Sequence, residues 1–384
     1  MGRNSTIIIG AGIAGSSLAH SLKTRGHQVT LVSNGTPAGS NVPAAILSPG
    51  FQRSNQPTSI FATTCFTHAC SFPFYKDAWA EERGVKLSST DPVERERLRE
   101  IAEKLDWGKD WLIPAEDGFI LPKSGCLSPE KALNQLQNGI TLTQNTVEKI
   151  EHRNGRWQVY TEKSMLTADN LVIACAMNSS VILGPTHQLD LRPKPGQIEL
   201  TGAHTANMPT GNHAYGGYVT AAISGLSQTQ YRTIGSTFDV RPENSMKWPE
   251  PTTQNREKNL QTLQENTGCA PSAEDITKSW AGIRATTPDY MPYVGPVPDW
   301  EKAAAQFAPL AKDRKLRGLE DMPYQTGLYL LTGFGAKGFQ QAPLCAAYIA
   351  ALICNTPLPV AKSLIPYLHP ARHMVKSIVR SSRP

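Results

Sequence analysis

The chain reads as an α/β fold, α+β in its middle, and three observations predict it. A β-branched run, a glycine turn, a helix and a second apolar run open the chain in "TIIIGAGIAGSSLAHSLKTRGHQVTLVSNG". A second strand, glycine turn and small-residue helix stand near the other end in "LYLLTGFGAKGFQQAPLCAAYIAALI". Strand-rich sequence lies between them. Nucleotide-domain elements at both ends and near the middle predict a discontinuous domain that carries an inserted antiparallel-sheet domain. The expected division is 1–75, 128–190 and 281–360 for the first, 76–127 and 191–280 for the second, and 361–384 for a basic tail.

Each element has a local reason. Thr6 to Gly10 is a β-branched run, Leu18, Ala19 and Leu22 recur at helical spacing, Gly26 stops the helix, and Val29 to Val32 makes the next strand. Small residues dominate Gly35 to Pro49, which predicts an extended loop along a ligand. Ile60 to Arg83 reads as helical, and its aromatics Phe61, Phe66, Phe72, Phe74, Tyr75 and Trp79 read as core. A charged helical segment from Asp91 to Asp110 leads to two short strands near Trp111 to Leu121. Ser128 and Pro129 suit a helix start, as cap and first-turn residue. Ile140 to Leu142 is a short strand, Val147 to Val159 a hairpin turning at Asn154-Gly155, and Leu171 to Ala176 a buried strand. Strands dominate Gln197 to Gly235, a helix follows around Asn255 to Asn266, and Trp280 to Pro298 is rich in proline and glycine.

Composition excludes several classes. Among 384 residues, charge is moderate at 18% and no stretch is low in complexity, so the chain is globular. It has no uninterrupted apolar run of about 18 residues and no basic-then-apolar leader at its start, so the expectation is a cytosolic protein without a membrane partner. Seven scattered cysteines without a CxxC pair predict reduced thiols and no metal site. The net charge is +6, and residues 361–384 hold Lys362, Arg372, Lys376, Arg380 and Arg383 with no acid. The positive field is therefore local, either a solvated face or an attachment point for a polyanion.

Gly10, Gly12 and Gly15 form GxGxxG between a strand and a helix. The first permits the tight turn, the second lets backbone approach a pyrophosphate, and the third lets helix and strand pack closely. Inside a βαβ unit this predicts a dinucleotide, with NAD, NADP and FAD all open. Ile13 and Ala14 belong to the same turn, and Asn41, Ala45 and Ile46 to the loop beyond it. The acid that usually ends the second strand is replaced by Ser33, a weaker hydrogen-bonding partner for ribose. Gly333, Gly335 and Gly338, with Ala336, Lys337 and Phe339, form the second turn, ahead of a helix expected from near Ala342. Two glycine turns suit a long ligand clamped from both ends, and FAD is such a ligand.

Five segments, the opening motif, "GSNVPAAILSP", "RPKPGQI", "AGIRATTPDYMPYVGPVPDW" and "LTGFGAKGFQQAPLCAAYIAA", together resemble the D-amino-acid oxidase superfamily of flavoproteins. Within it, "SNVPAAILSP", "AGIRATTPDYMPYVGPVPDW", "GAKGFQQAPLCA" and "PLPVAKSLIPYLHPARHMVKSIVR" look most like the FAD-dependent C-terminal half of the MnmC family, bacterial tRNA wobble-uridine modification enzymes. The resemblance spans nearly the whole chain. It implies a Rossmann-like FAD-binding domain of the DAO/glutathione-reductase type with an inserted antiparallel-sheet substrate domain. It also implies removal of the carboxymethyl group from 5-carboxymethylaminomethyluridine in tRNA, with FAD as cofactor, oxygen as electron acceptor and a separate methyltransferase acting downstream. Ser33 fits that branch, where the acid is not strictly kept.

The resemblance also implies roles for single residues. Arg284, in "GIRATTPD", is the candidate for the substrate carboxylate, because a guanidinium pairs with it bidentately; the alternative is a structural pair with an acid such as Asp289. Lys337 is expected near the flavin or the substrate carboxylate, or else as a solvated loop lysine. Tyr218 matches a strand tyrosine that faces substrate, and Val147 a position whose backbone touches adenine. Arg192, Lys194 and Gln197 mark the domain crossing, either lining the tRNA or flavin entrance or fixing the junction. Arg372, Lys376, Arg380 and Arg383 share one face if Pro370 starts a helix, and so form the candidate tRNA contact. Two other functions stay open: an FAD-dependent oxidase of a free small amine such as glycine, sarcosine or a D-amino acid, and a catalytically inactive flavin-containing RNA-binding protein.

Overall fold

The computed structural model describes residues 5–51, 56–105, 107–239, 246–313 and 322–380. Two sheets organise it. One has six strands in the order Tyr293–Pro298, Tyr324–Thr332, Asn170–Ile173, Ser5–Ile9, Gln28–Ser33 and Thr141–Gln144. All neighbours run parallel except Tyr293–Pro298, which is antiparallel to Tyr324–Thr332. The buried strands are nearly continuous apolar runs, as a sheet covered on both faces requires. Helices Ile13–Lys23 and Gly338–Cys354 pack together on one face, and the hairpin sheet Val147–Arg153, Arg156–Thr161 and Met165–Ala168 attaches to the domain. Asn154 and Gly155 turn that hairpin at φ +52° and +75°, the conformation their residue types favour.

The second sheet gathers strands from distant parts of the chain: Ile276–Thr286, Arg192–Gly202, Gln230–Gly235, Tyr218–Val219, His213–Ala214, Val85–Ser88, Gly118–Leu121 and Ile113–Ala115. Ile276–Thr286 belongs to this sheet along its full length, pairing with Arg192–Gly202 from Thr286↔Arg192 to Ile276↔Thr201. The expected boundary at 280/281 therefore falls inside a strand.

Two helices differ from expectation for identifiable reasons. The helix expected over 60–83 runs Pro57–Cys70, and Pro73 then opens the short 3₁₀ segment Pro73–Ala78, because a proline biases the residue before it away from helical backbone. Phe61, Phe66 and Tyr75 are fully buried, so these aromatics are core. The last long helix begins at Gly338, four residues before the expected start, and contains Pro343. Proline leaves the carbonyl four residues back without its helical N–H, and here the Tyr75 hydroxyl donates to that carbonyl, Phe339 O, at 2.7 Å. The C-terminal segment is not a free tail: Leu364, Leu368, Ala371 and Met374 are buried, and its last helix is Arg372–Arg380.

Among the described residues every cysteine is free, no cluster of ligating side chains could hold a metal, and no helix is long and apolar enough to cross a membrane.

Candidate active site

Four parallel strands end at the same edge of the six-stranded sheet, and the segments that follow them line one cleft of about 720 Å³. After Ser5–Ile9 come Gly10 to Ala14; after Gln28–Ser33 the loop Ser33 to Val42; after Asn170–Ile173 Ala174 to Asn178; after Tyr324–Thr332 Gly333 to Gln340. Strands lie ~4.8 Å apart, so the row from Ser33 to Gly333 spans about 14 Å. A crevice outside the carboxyl ends of parallel strands is where such sheets bind extended nucleotides.

The glycines explain the close approach. Gly10 has φ +111°, and a Cβ there would stand 2.4 Å from Ala174 O. A Cβ on Gly12 would meet Ser40 Oγ at 2.9 Å, closing the cradle beside the helix N-terminus. Gly15 does not line the cleft; its Cβ would overlap Gly10 O at 1.9 Å, so it serves helix–strand packing. Ile13, Ala14, Asn41, Ala45 and Ile46 line the cleft, as do Gly333, Gly335, Ala336, Lys337, Gly338 and Phe339. Ser33 also lines it, with its Oγ accepting a hydrogen bond from Gly35 N at 3.4 Å. Val147 does not: it begins the attached hairpin sheet and packs against a separate hydrophobic cluster.

No described residue lining the cleft is acidic, and two are cationic, Arg284 and Lys337. With helix N-termini at two points on its edge, the cleft suits an anionic dinucleotide. The residues present fit FAD: Ser33 stands where a ribose would lie, Gly10 to Ala14 would hold the pyrophosphate, and Gly333 to Phe339 the flavin end.

Arg284 projects from the large sheet into the cleft. Its Nη1 donates to Pro195 O at 3.3 Å and Thr237 O at 3.2 Å, and its Nη2 to Ser236 Oγ at 2.8 Å. All three acceptors are neutral, and no described carboxylate forms an ion pair with it. Burial lowers its pKa, while Tyr218 and Asp239 act in the opposite sense. Gly196 makes room for the guanidinium, since a Cβ there would lie 2.1 Å from Nη1. The expected alternative partner, Asp289, is engaged elsewhere. Arg372 Nε and Nη2 donate to it at 2.9 and 2.8 Å, and His373 Nε2 lies 3.0 Å away.

Lys337 is not a solvated loop lysine. Its Nζ donates to Ser48 O, and burial pulls its pKa down to about 8. Tyr218 lines the cleft, and burial pushes its phenol well up, so it stays a neutral donor. Arg192 pairs with Asp190 at 2.9 Å, and Lys194 Nζ donates to Tyr290 Oη at 3.3 Å. Gln197 is buried on Glu199 and Thr252, so it braces the junction rather than lining an entrance.

The basic C-terminal face is only partly as expected. Arg372 is 4% exposed and bound to Asp289 and backbone carbonyls, so it is not free for phosphate. Lys376 and Arg380 remain at the surface, Lys376 with Asp289 3.8 Å away, and Arg383 lies outside the described residues. The sequence reading missed Ile198, Ser236, Met246, Trp248 and Trp280, all of which line the cleft. For Ile198 and Trp280 the signal would have been which strand face points inward, which depends on pairing across the sheet; Ser236, Met246 and Trp248 lie outside the strands and carry no such signal.

Comparison with known proteins agrees with this geometry. The model of the family "DAO: FAD dependent oxidoreductase" matches residues 5–352. The tRNA 5-methylaminomethyl-2-thiouridine biosynthesis bifunctional protein MnmC of Saccharophagus degradans is 26% identical over 98% of this chain, and that of Pseudomonas aeruginosa 26% over 100%. The chain spans 56% and 61% of the length of these two relatives. Among solved structures, glycine oxidase from Geobacillus kaustophilus aligns with TM-score 0.73 at 18% identity, covering 97% of this chain and 100% of that one. Iminodiacetate oxidase from Chelativorans aligns with TM-score 0.70 at 17% identity, covering 93% and 97%.

Proposed function

The chain belongs to the DAO family of FAD-dependent oxidoreductases, and from that premise we propose that it oxidatively removes the carboxymethyl group from 5-carboxymethylaminomethyl-(2-thio)uridine at the tRNA wobble position. The products are 5-aminomethyl-(2-thio)uridine and glyoxylate. The observation that carries this reading is Arg284: a guanidinium in the cleft beside the flavin end, held by neutral acceptors, with both charge and geometry left for a carboxylate. Whole-chain similarity to proteins named for tRNA thiouridine biosynthesis supports the choice of substrate.

The substituent is an N-substituted glycine. When bound, FAD supplies a two-electron acceptor for the hydride on the carbon between nitrogen and carboxylate. Arg284 anchors the carboxylate and so fixes that carbon. The amine must lose its proton to release a lone pair, and a cleft with Arg284, Lys337 and no acid among its described lining residues disfavours the ammonium form. Loss of hydride and of the amine proton leaves an imine, R–N=CH–COO⁻. Water adds to its carbon, and the carbon–nitrogen bond breaks to give the primary amine and glyoxylate. Tyr218, kept neutral by burial, is a hydrogen-bond donor for this site.

Oxygen is the proposed final electron acceptor, a separate methyltransferase the proposed consumer of the product, and the cytoplasm, where tRNA is modified, the proposed compartment. The test is anaerobic mixing of the flavin-loaded protein with tRNA carrying the carboxymethylaminomethyl group, followed by nucleoside analysis. Flavin bleaching with appearance of the aminomethyl nucleoside is expected. Bleaching by N-methylglycine but not by tRNA would replace this reading with that of a small-amine oxidase.

A further inference from the structure

Aromatic side chains that belong to no core cluster stand against Arg284 or line the cleft it faces. Phe238 is 50% exposed, yet its ring centroid lies 4.3 Å from the Arg284 guanidinium carbon. Trp248 and Trp280 both line the cleft, half-buried, with ring centroids 6.3 Å apart and planes at 78°. Met246, 43% exposed, lines it too. None of the four is part of the hydrophobic clusters that hold the domains together. Trp280 folds back over its own strand only because residue 282 is glycine, where a Cβ would lie 2.2 Å from the indole. Apolar rings left beside an open cleft gain from a flat partner, and general stability does not account for them.

We infer that Phe238 and Trp248, with Trp280 behind, form the stacking surface for the pyrimidine ring of the substrate nucleoside. The inference rests on the tRNA reading above and specifies how the base is held. Its geometry follows from the length of the substituent. Four single bonds of ~1.5 Å join the ring carbon to the carboxylate carbon, so an extended chain reaches about 5 Å. With the carboxylate on Arg284, the ring must lie within that reach, and the Phe238 ring already touches the guanidinium. Unpaired bases are commonly recognised by stacking on aromatic side chains, which tolerates any neighbouring sequence. An amine carrying only a methyl group has no ring to place there.

The experiment compares two reductants of the flavin-loaded protein under anaerobic conditions, the free 5-carboxymethylaminomethyluridine nucleoside and N-methylglycine, each titrated by the flavin spectrum. Phe238→Ala and Trp248→Ala are each expected to raise the ratio of half-saturating concentrations, nucleoside over N-methylglycine, about tenfold. Limiting reduction by the nucleoside should change much less, and Phe238→Tyr should restore the ratio. If the ratio stays within twofold, because the nucleoside is unaffected or both ligands weaken together, the stacking surface is overturned. If the wild type responds to N-methylglycine but to neither nucleoside nor tRNA, the proposed function itself has failed, and the base-stacking role with it.

Discussion

Arg284 and Arg372 are both largely withdrawn from water, and they differ in what surrounds them. Arg372 has a carboxylate, Asp289, in bidentate geometry, plus carbonyls of Met291, Pro292 and His369. Arg284 has two carbonyls, one hydroxyl and an aromatic face. A buried cation with its own carboxylate is complete and belongs to the architecture. One whose hydrogen bonds go only to neutral acceptors leaves a place for an anion to arrive. Residue type was the same in both cases, and the partner decided the role.

The contrast can be broken most strongly at Asp289. Burial by itself would raise its carboxyl, but hydrogen bonds from Arg372 and His373 hold it well below the usual carboxylate range. Asp289→Asn leaves Arg372 buried and unpaired, and should cost about 3–5 kcal/mol in unfolding free energy at pH 7, read by denaturant titration. A carboxyl depressed in the folded state contributes its full stabilisation above its unfolded pKa, about 4, and loses it progressively as pH falls from there towards the lower folded pKa. The deficit of the variant should therefore shrink in acid; a deficit that is constant with pH would mean the pair is not its source.

Arg284→Met should show the reverse pattern. Losing a bidentate charge-assisted contact to substrate, worth about 3 kcal/mol, predicts a fall in kcat/KM of roughly 100-fold. Flavin content should be retained and the melting temperature should drop less than in Asp289→Asn. Equal loss of stability in the two variants would erase the distinction drawn between these arginines.

The smallest effect is expected at the surface. Lys376→Glu with Arg380→Glu should weaken tRNA binding several-fold and lower the slope of log affinity against log salt by roughly 1 to 2. Arg372, already paired, is left alone in this test. An unchanged slope would remove the C-terminal helix from the tRNA interface.

The glycine turns were legible in the sequence because their spacing between a β-branched run and a helical one is local. Gly10 turns at φ +111° and Gly15 packs against Gly10 O within the motif, while the contacts that crowd Gly10 and Gly12 come from Ala174 and Ser40, far along the chain. Local signals also marked the Asn154-Gly155 turn and Ser128, whose Oγ accepts from Lys131 N at 3.4 Å. The second turn was legible too, though its helix started earlier than expected. A tyrosine over 260 residues away in sequence supplies the hydroxyl that occupies the carbonyl freed by Pro343.

The tertiary structure alone decided the rest. That Arg284 faces the cleft follows from the register of Ile276–Thr286 against Arg192–Gly202, and a slip of one residue would turn it to the other face. That Arg372 is structural follows from Asp289, 83 residues earlier in the chain, reaching the last helix. Trp280 faces the cleft through its pairing with Ile198, which no local pattern encodes, and Trp248 meets it there from a segment outside the strands, 32 residues earlier in the chain. Local backbone chemistry determined where a dinucleotide would be held. Long-range pairing decided which charges were left free to act on what it carries, because a charge is free only when the whole fold has failed to supply its partner.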